Sequence, residues 1–434
     1  MTGLGWLGIV RLGLVQTALG AIVVLTTSTM NRVMVVELAL PAMLPGALVA
    51  LHHAVQLLRP RLGHGSDVGG RRTPWIIGGM AALALGGIGA ALGVSWMDAS
   101  LAGGTLLAAA SFVLIGVGAG AAGTSLLVLL AKRVDETRRA AAATIVWTMM
   151  IVGFIVTAGM AGHFLDPYSP QRLVVVTAVV AGLAFMLTLV AVAGVERDPG
   201  RAVAAAAAAL PFRAALAQVW AEPRSRRFTV FVFVSMLAYS AQDLILEPFA
   251  GVVFGYTPGQ STQLSGVQNG GVLAGMLLVA FAASGRRRFG SLRAWTIGGC
   301  LASAVALMAL AVGGLSPGWP LRVNVFALGL SNGAFAVAAI GSMMSLAGTG
   351  APGREGVRMG LWGAAQAIAF AVGGFAGTVA SDLAHALVGT SALAYGSVFA
   401  AEGLLFVVAA RLAMNASVPH LERVRVGVPV GELN

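Results

Sequence analysis

Residues 75–79 read WIIGG, and residues 295–299 read WTIGG. Each pentapeptide opens an apolar run, the third and the ninth of a series. At an offset of 215 positions, Arg139, Trp147, Gly159 and Gly162 fall on Arg354, Trp362, Gly374 and Gly377, which matches the fifth run to the eleventh. Each match is weak in a chain with 59 glycines. Together they point to one six-helix unit present twice.

The runs themselves read as membrane spans. The chain of 434 residues is 58% hydrophobic and 10% charged, with a mean hydropathy of +0.88, outside the composition of a soluble globular domain. An α-helix needs about 20 apolar residues to cross about 30 Å of hydrocarbon. Such helices are expected at about 11–36, 41–60, 74–94, 103–131, 141–163, 172–194, 227–250, 261–284, 293–313, 320–347, 357–380 and 389–411. The first run continues past signal-peptide length without a small-residue cleavage site, so it reads as a span. A single cysteine, Cys300, leaves no internal disulfide framework and no Cys-rich metal site.

A net charge of +11 would suggest a nucleic-acid partner in a soluble protein, but its location argues for the lipid bilayer instead. Of the 27 lysines and arginines, all but Arg32, Arg172 and Arg322 lie in one alternate set of loops and at the termini. By the positive-inside rule that side, with both termini, is cytoplasmic. The longest polar interruption, Glu196 to Arg227, holds ERDPGR, an alanine run at 204–209 and EPRSRR. It divides the chain into an N-terminal half (1–195), a cytoplasmic linker (196–226), a C-terminal half (227–412) and a cytoplasmic tail (413–434). An all-α membrane protein of twelve transmembrane helices in two six-helix halves follows the plan of the major facilitator superfamily, with a cavity between the halves.

Between the second and third spans lies GHGSDVGGRR, residues 63–72. It resembles the loop signature of that superfamily, with Gly63, Asp67, Gly70, Arg71 and Arg72 in matching positions. The glycines permit a tight turn, and Asp67 can accept from a helix N-terminus or an arginine. The resemblance implies a cytoplasmic latch. Val68 stands where a basic residue is usual, and the matching loop of the second half, SGRRRFG, has no acid.

Polar groups inside spans are costly and usually face protein or a cavity. The first span ends TTSTMNRVMVVELALP, with Asn31, Arg32 and Glu37, and the seventh ends AYSAQDLILEPFAG, with Gln242, Asp243 and Glu247. Each shows an amide, a charged residue and then a glutamate, at corresponding places in the two halves. With a rise of 1.5 Å per residue, Asp243 lies about 22 Å and Glu247 about 28 Å along the seventh span from Phe228, and Arg32 about 30 Å beyond Arg11. These depths place all six near the non-cytoplasmic rim as a polar clamp, with Arg32 expected to pair with Asp243 or Glu247. His52 and His53 fall midway along the second span, where a neutral imidazole can serve as a ligand, and one of the two at most faces a cavity. Gln268 and Asn269 in the eighth span are further candidates, as are Asn332, Gln366 and Glu402. Glycines 116, 118, 120 and 123 read as helix packing.

The segments from Asn31 to Leu38 and from Gln242 to Gly251, together with LGLVQTALGAIVVLTTSTMNRVMVVELALPA and the loop motif, resemble the PucC family of light-harvesting complex assembly proteins, also called the bacteriochlorophyll delivery family. The resemblance runs through all twelve spans. It implies a protein of the inner, intracytoplasmic membrane of a phototrophic bacterium. Such a protein passes bacteriochlorophyll to the α and β antenna polypeptides or organises their assembly, with bacteriochlorophyll as ligand or cargo and no cofactor required. Length and GSDVGGRRTPW place it nearest the branch encoded with bacteriochlorophyll synthesis genes, which makes bacteriochlorophyll synthase a further expected partner. The family supplies no set of pigment ligands, so His52, His53, Gln268 and Asn269 stand as possible pigment contacts on chemistry alone, a histidine as ligand to the pigment magnesium.

Two other functions compete. A proton-coupled transporter of a small solute needs a charge in its cavity, and the fourth and fifth spans supply none away from their cytoplasmic ends. An enzyme could be read into Asp243 and Glu247, a DxxxE resembling half of a prenyltransferase diphosphate site. Holding Mg²⁺ against a diphosphate takes two acidic clusters, and Glu37 and Asp98 are isolated. No catalytic residue is expected.

Overall fold

The structure, a computed structural model, describes residues 4–58, 71–134, 139–196, 217, 220–284, 290–347 and 355–415. Among the described residues, twelve helices form in order: α1 (Trp6–Glu37), α2 (Met43–Val55), α3 (Thr73–Trp96), α4 (Leu101–Arg133), α5 (Arg139–Leu165), α6 (Pro170–Val192), α7 (Pro223–Phe254), α8 (Pro258–Ser284), α9 (Leu292–Gly313), α10 (Leu321–Ala347), α11 (Glu355–Leu387) and α12 (Ser391–Asn415). Eleven are long and apolar enough to cross a bilayer, and α2 is the shorter exception. The second span was expected over about 20 residues, whereas α2 stops at Val55 and tightens into a 3₁₀ turn, Gln56–Leu58.

Local chemistry sets the helix ends. Ser100, Ser169 and Ser291 accept from the backbone N–H three residues on, at Gly103, Arg172 and Ala294, which caps α4, α6 and α9. Proline opens α6 and α7, where its missing N–H costs nothing. α7 ends at Gly255, whose φ of 68° is in the left-handed region, and the Tyr256 amide returns to the Ala250 carbonyl at 3.1 Å.

The repeated motif has a packing cause. A Cβ on Gly79, the last residue of WIIGG, would lie 2.6 Å from the Ala122 backbone nitrogen in α4, and one on Gly299, the last of WTIGG, 2.7 Å from Phe335 Cβ in α10. The preceding glycines, Gly78 and Gly298, both have open space at that place. The second glycine of each motif is therefore the one that lets the third helix of a half lie on the fourth. Gly118 meets α3 in the same way, and Gly116 sits against the His52 carbonyl of α2.

Each half has its own apolar core, one running from Ile9 to Val192 with Leu244 joined to it, the other from Phe228 to Ala413. Val175, Val179, Leu183, Met186 and Val190 form an exposed apolar stripe on α6, the face a bilayer would cover. The halves meet where α5 packs on α8, α2 on α11, and the last third of α1 on α7 and α8. These junctions lie toward the face opposite the termini.

Candidate functional site

The site is the polar seam between the halves, and it grows from two irregular helices. α1 widens into π turns at Leu25–Thr29 and Val33–Glu37, with the Thr26 and Thr27 hydroxyls both donating to the Val23 carbonyl at 2.9 Å. Asn31 and Arg32 sit between the two π turns and are fully or nearly buried. α7 carries Pro248 in its interior. Proline has no N–H to give to the carbonyl four residues back, so the Leu244 oxygen lacks its helical partner. Asn31 Nδ2 donates to that oxygen at 2.6 Å. A side chain of one half thus completes the backbone of the other.

Neighbouring contacts continue the seam. The hydroxyls of Ser28 and Ser265 lie 3.2 Å apart and those of Thr29 and Thr262 3.0 Å apart, joining α1 to α8. Arg32 pairs with Glu37 across the second π turn and donates from Nη2 to the Tyr256 carbonyl at 2.7 Å. Gly251 gives the guanidinium its room, since a Cβ there would stand 3.1 Å from Arg32 Nη2. Above this pair opens a cavity of about 600 Å³ lined by Arg32, Glu37, Asp166, Tyr168, Gly251 and Tyr256 among others. Burial, with Glu37 adding to it, pushes the Tyr168 phenol up to about 12.

The six clamp residues do not come together as one set. Arg32 and Glu37 form the pair at the mouth, so the expected pairing of Arg32 with Asp243 or Glu247 is corrected: the π turn brings Glu37 within reach of the guanidinium. Glu247 is buried, with Ser28 and Arg32 as its electrostatic neighbours and no hydrogen-bond partner of ordinary geometry among the described residues. Asp243 lies deeper than the rim, because α7 runs on past 250 to Phe254, which leaves about 16 Å of helix beyond it. It accepts from Gln268 Nε2 at 3.2 Å and lies in the electrostatic surroundings of Tyr239 and Glu402, all in the C-terminal half. Gln242 is fully buried without a hydrogen-bond partner among the described residues, so it does not mirror Asn31.

The remaining candidates separate likewise. His52 is buried and within 2.7 Å of Gln56 Nε2 in the 3₁₀ turn that follows α2, whereas the His53 ring faces Phe370 of α11 across the halves at 5.6 Å. Phe370 also meets Tyr239 at 5.8 Å, so aromatic rings from α2, α11 and α7 line this part of the interface. Asn269 donates to Ser265 four residues back and is engaged within α8. Of the loop motif, Gly63, Asp67 and Gly70 lie outside the described residues. Arg71 and Arg72 meet Glu196: Arg71 Nη2 donates to its carbonyl at 3.4 Å, and the Arg72 and Thr73 amides donate to its carboxylate at 2.8 Å each. That acid caps α3 within the N-terminal half.

Sequence reasoning missed Asp166 and Asp382. Asp166, beyond the end of α5, accepts from Thr257 Oγ1 at 2.6 Å and from the Gly259 amide at 3.1 Å, at the start of α8. Asp382, in α11, accepts from the Ala42 and Met43 amides at 2.8 and 2.7 Å, at the start of α2. The internal repeat held the signal, but an offset of 215 carries Asp166 to Ser381, one residue short.

Two pseudo-symmetric six-helix halves joined by a polar seam define a membrane protein of the major facilitator fold. The chain superposes on the crystal structure of the nucleoside transporter NupG with a TM-score of 0.66 at 15% identity, covering 94% of this chain and 98% of that one. For the D-xylose-proton symporter the score is 0.65 at 16% identity, over 92% and 96% of the two chains. At such identities the likeness is one of fold. The family model described as PUCC protein matches residues 29–420, and the chain belongs to that family. It is 56% identical to the bacteriochlorophyll synthase 44.5 kDa chain of Rhodobacter capsulatus, over 94% of this chain and 95% of that protein. It is 30% identical to protein PucC of the same species, over 96% and 92% of the two. The second π turn and Asn31 to Leu38 fall inside the matched region, as does α7.

Proposed function

We propose that this protein handles bacteriochlorophyll in the membrane and delivers it to, or assists assembly of, light-harvesting antenna complexes. The observation that carries the reading is membership of the PUCC family over residues 29–420, joined to 56% identity with a chain named for bacteriochlorophyll synthase. Bacteriochlorophyll is cargo here, and the partners are the antenna α and β polypeptides and bacteriochlorophyll synthase. The basic loops and both termini face the cytoplasm, and the face bearing Arg32, Asp166 and Asp382 is the outer one of the bacterial inner membrane. The half-buried rings of His53, Phe370 and Tyr239 suit a flat macrocycle better than a small polar solute.

The word synthase in the relative's name reads as association with that enzyme. Asp243 engages Gln268 while Glu247 lies beside Ser28 and Arg32, so the two acids do not converge on one metal-diphosphate site. The transporter alternative rests on fold alone.

Purification in mild detergent from a pigment-making host, followed by absorption spectroscopy and identification of co-purifying chains, tests the proposal. Bound bacteriochlorophyll, antenna polypeptides or the synthase is the expected result. A colourless protein without partners, which moves protons across vesicles when a solute is added, overturns it.

A further inference from the structure

Asp166 and Asp382 do the same thing in opposite directions. Asp166 of the N-terminal half binds the first turn of α8 in the C-terminal half, and Asp382 of the C-terminal half binds the first turn of α2 in the N-terminal half. The acids are 216 positions apart, as are the acceptor sites Met43 and Gly259. Both contacts cross the seam at the face opposite the termini. A carboxylate on the free amides of a helix N-terminus is a charge-assisted contact favoured by the helix dipole.

We propose that these two aspartates are a pseudo-symmetric pair of latches that hold the face opposite the termini closed over the seam, and that this face opens only when both let go. The polar contacts beneath them, Ser28 with Ser265 and Thr29 with Thr262, are then the surface that opening uncovers. The latches are built unequally. α8 has its own cap, because Thr257 and Gln260 bond each other reciprocally, Gln260 Oε1 accepting from the Thr257 amide and Thr257 Oγ1 from the Gln260 amide, each at 3.1 Å. α2 has no side-chain cap of its own at Ala42, so Asp382 supplies it from the other half. Asp166 can therefore release without fraying a helix, whereas Asp382 holds both the seam and the end of α2. Arg172, which donates from Nη1 to the Asp166 carbonyl at 2.5 Å, fixes the loop that carries the first latch. The device stands on the geometry whether or not pigment is the cargo.

Cysteine accessibility tests it. Ser265 lies about 10 Å below the start of α8 and is buried in the seam. In a Cys300→Ala background, Ser265→Cys should react slowly with a membrane-impermeant maleimide in the full chain in nanodiscs. Asp166→Asn and Asp382→Asn should each speed the reaction, and the double variant should exceed both, by about tenfold over the parent. Rates within about twofold of the parent in all three overturn the proposal. If Asp382→Asn yields no folded protein, Asp166→Asn decides alone, since α8 keeps its Thr257–Gln260 cap, and an unchanged rate there overturns the proposal equally.

Discussion

Asn31 Nδ2 lies 2.6 Å from the Leu244 carbonyl oxygen, the one backbone acceptor of α7 that Pro248 cannot serve. The two most distinctive segments of the sequence thus meet at one hydrogen bond between the halves. Interhelical polar bonds in membranes are worth about 0.6–2 kcal/mol. Asn31→Ala should lower thermal stability by that order, and Asn31→Asp by more, because a carboxylate has no donor for a carbonyl. In Pro248→Ala the helix can serve Leu244 itself, so Asn31→Ala should cost less in that background. Melting of the four proteins in detergent closes the cycle, and equal costs in both backgrounds would refute the explanation.

Arg32 holds two acceptors with one planar group, Glu37 and the Tyr256 carbonyl. Arg32→Lys should therefore lose much of what Arg32→Ala loses, since an ammonium lacks the fork. Exchanging the charges within the pair, Arg32→Glu with Glu37→Arg, should recover part of the stability lost by Arg32→Glu. Exchanging Arg32 with Asp243 should recover none.

Gly251 should behave as part of the Arg32 site. A Cβ there stands 3.0 Å from Val36 Cγ2 and 3.1 Å from Arg32 Nη2. Gly251→Val should cost about 1–3 kcal/mol by overpacking, and part of it should be absent when Arg32 is already alanine, the Val36 contact remaining. A full additional loss in the Arg32→Ala background would separate the two residues.

Tyr168 gives the site a pH signature. Its phenol is raised from 10.0 to about 12 by burial, with Glu37 assisting. The fold favours the neutral phenol, so its contribution is complete below pH 10 and is lost as the pH rises from 10 toward 12. The phenolate difference spectrum of wild type against Tyr168→Phe should place this midpoint well above that of free tyrosine. Glu37→Gln should bring it down.

The histidines should divide by face. If pigment occupies the interface between the halves, His53→Leu should lower the pigment content of the purified protein while His52→Leu changes stability alone. Equal pigment in both variants would remove the His53 face from consideration.

Much of the architecture was legible in the chain. Apolar runs and the WIIGG repeat specify spans and duplication, because hydrocarbon thickness and close helix packing act on local sequence. The acidic segment of α7 was legible as unusual, but its partners were not. Counting rise from Phe228 to an expected end near 250 put Asp243 at the rim, whereas α7 runs on to Phe254. Asp166 and Asp382 looked like ordinary loop and helix-end acids, since the partners of their carboxylates lie 91 to 340 positions away.

The sequence by itself determined that this is a duplicated bundle of membrane helices and that Asn31 to Leu38 and Gln242 to Gly251 are its unusual segments. Only the tertiary structure decided that Asn31 serves the carbonyl freed by Pro248, that Arg32 turns to Glu37 rather than Asp243, and that two aspartates 216 positions apart close the same face. The physical reason is distance along the chain. Helical rise and hydropathy depend on neighbours a few residues away, whereas each contact joining the halves depends on how two separately folded six-helix units lie against each other.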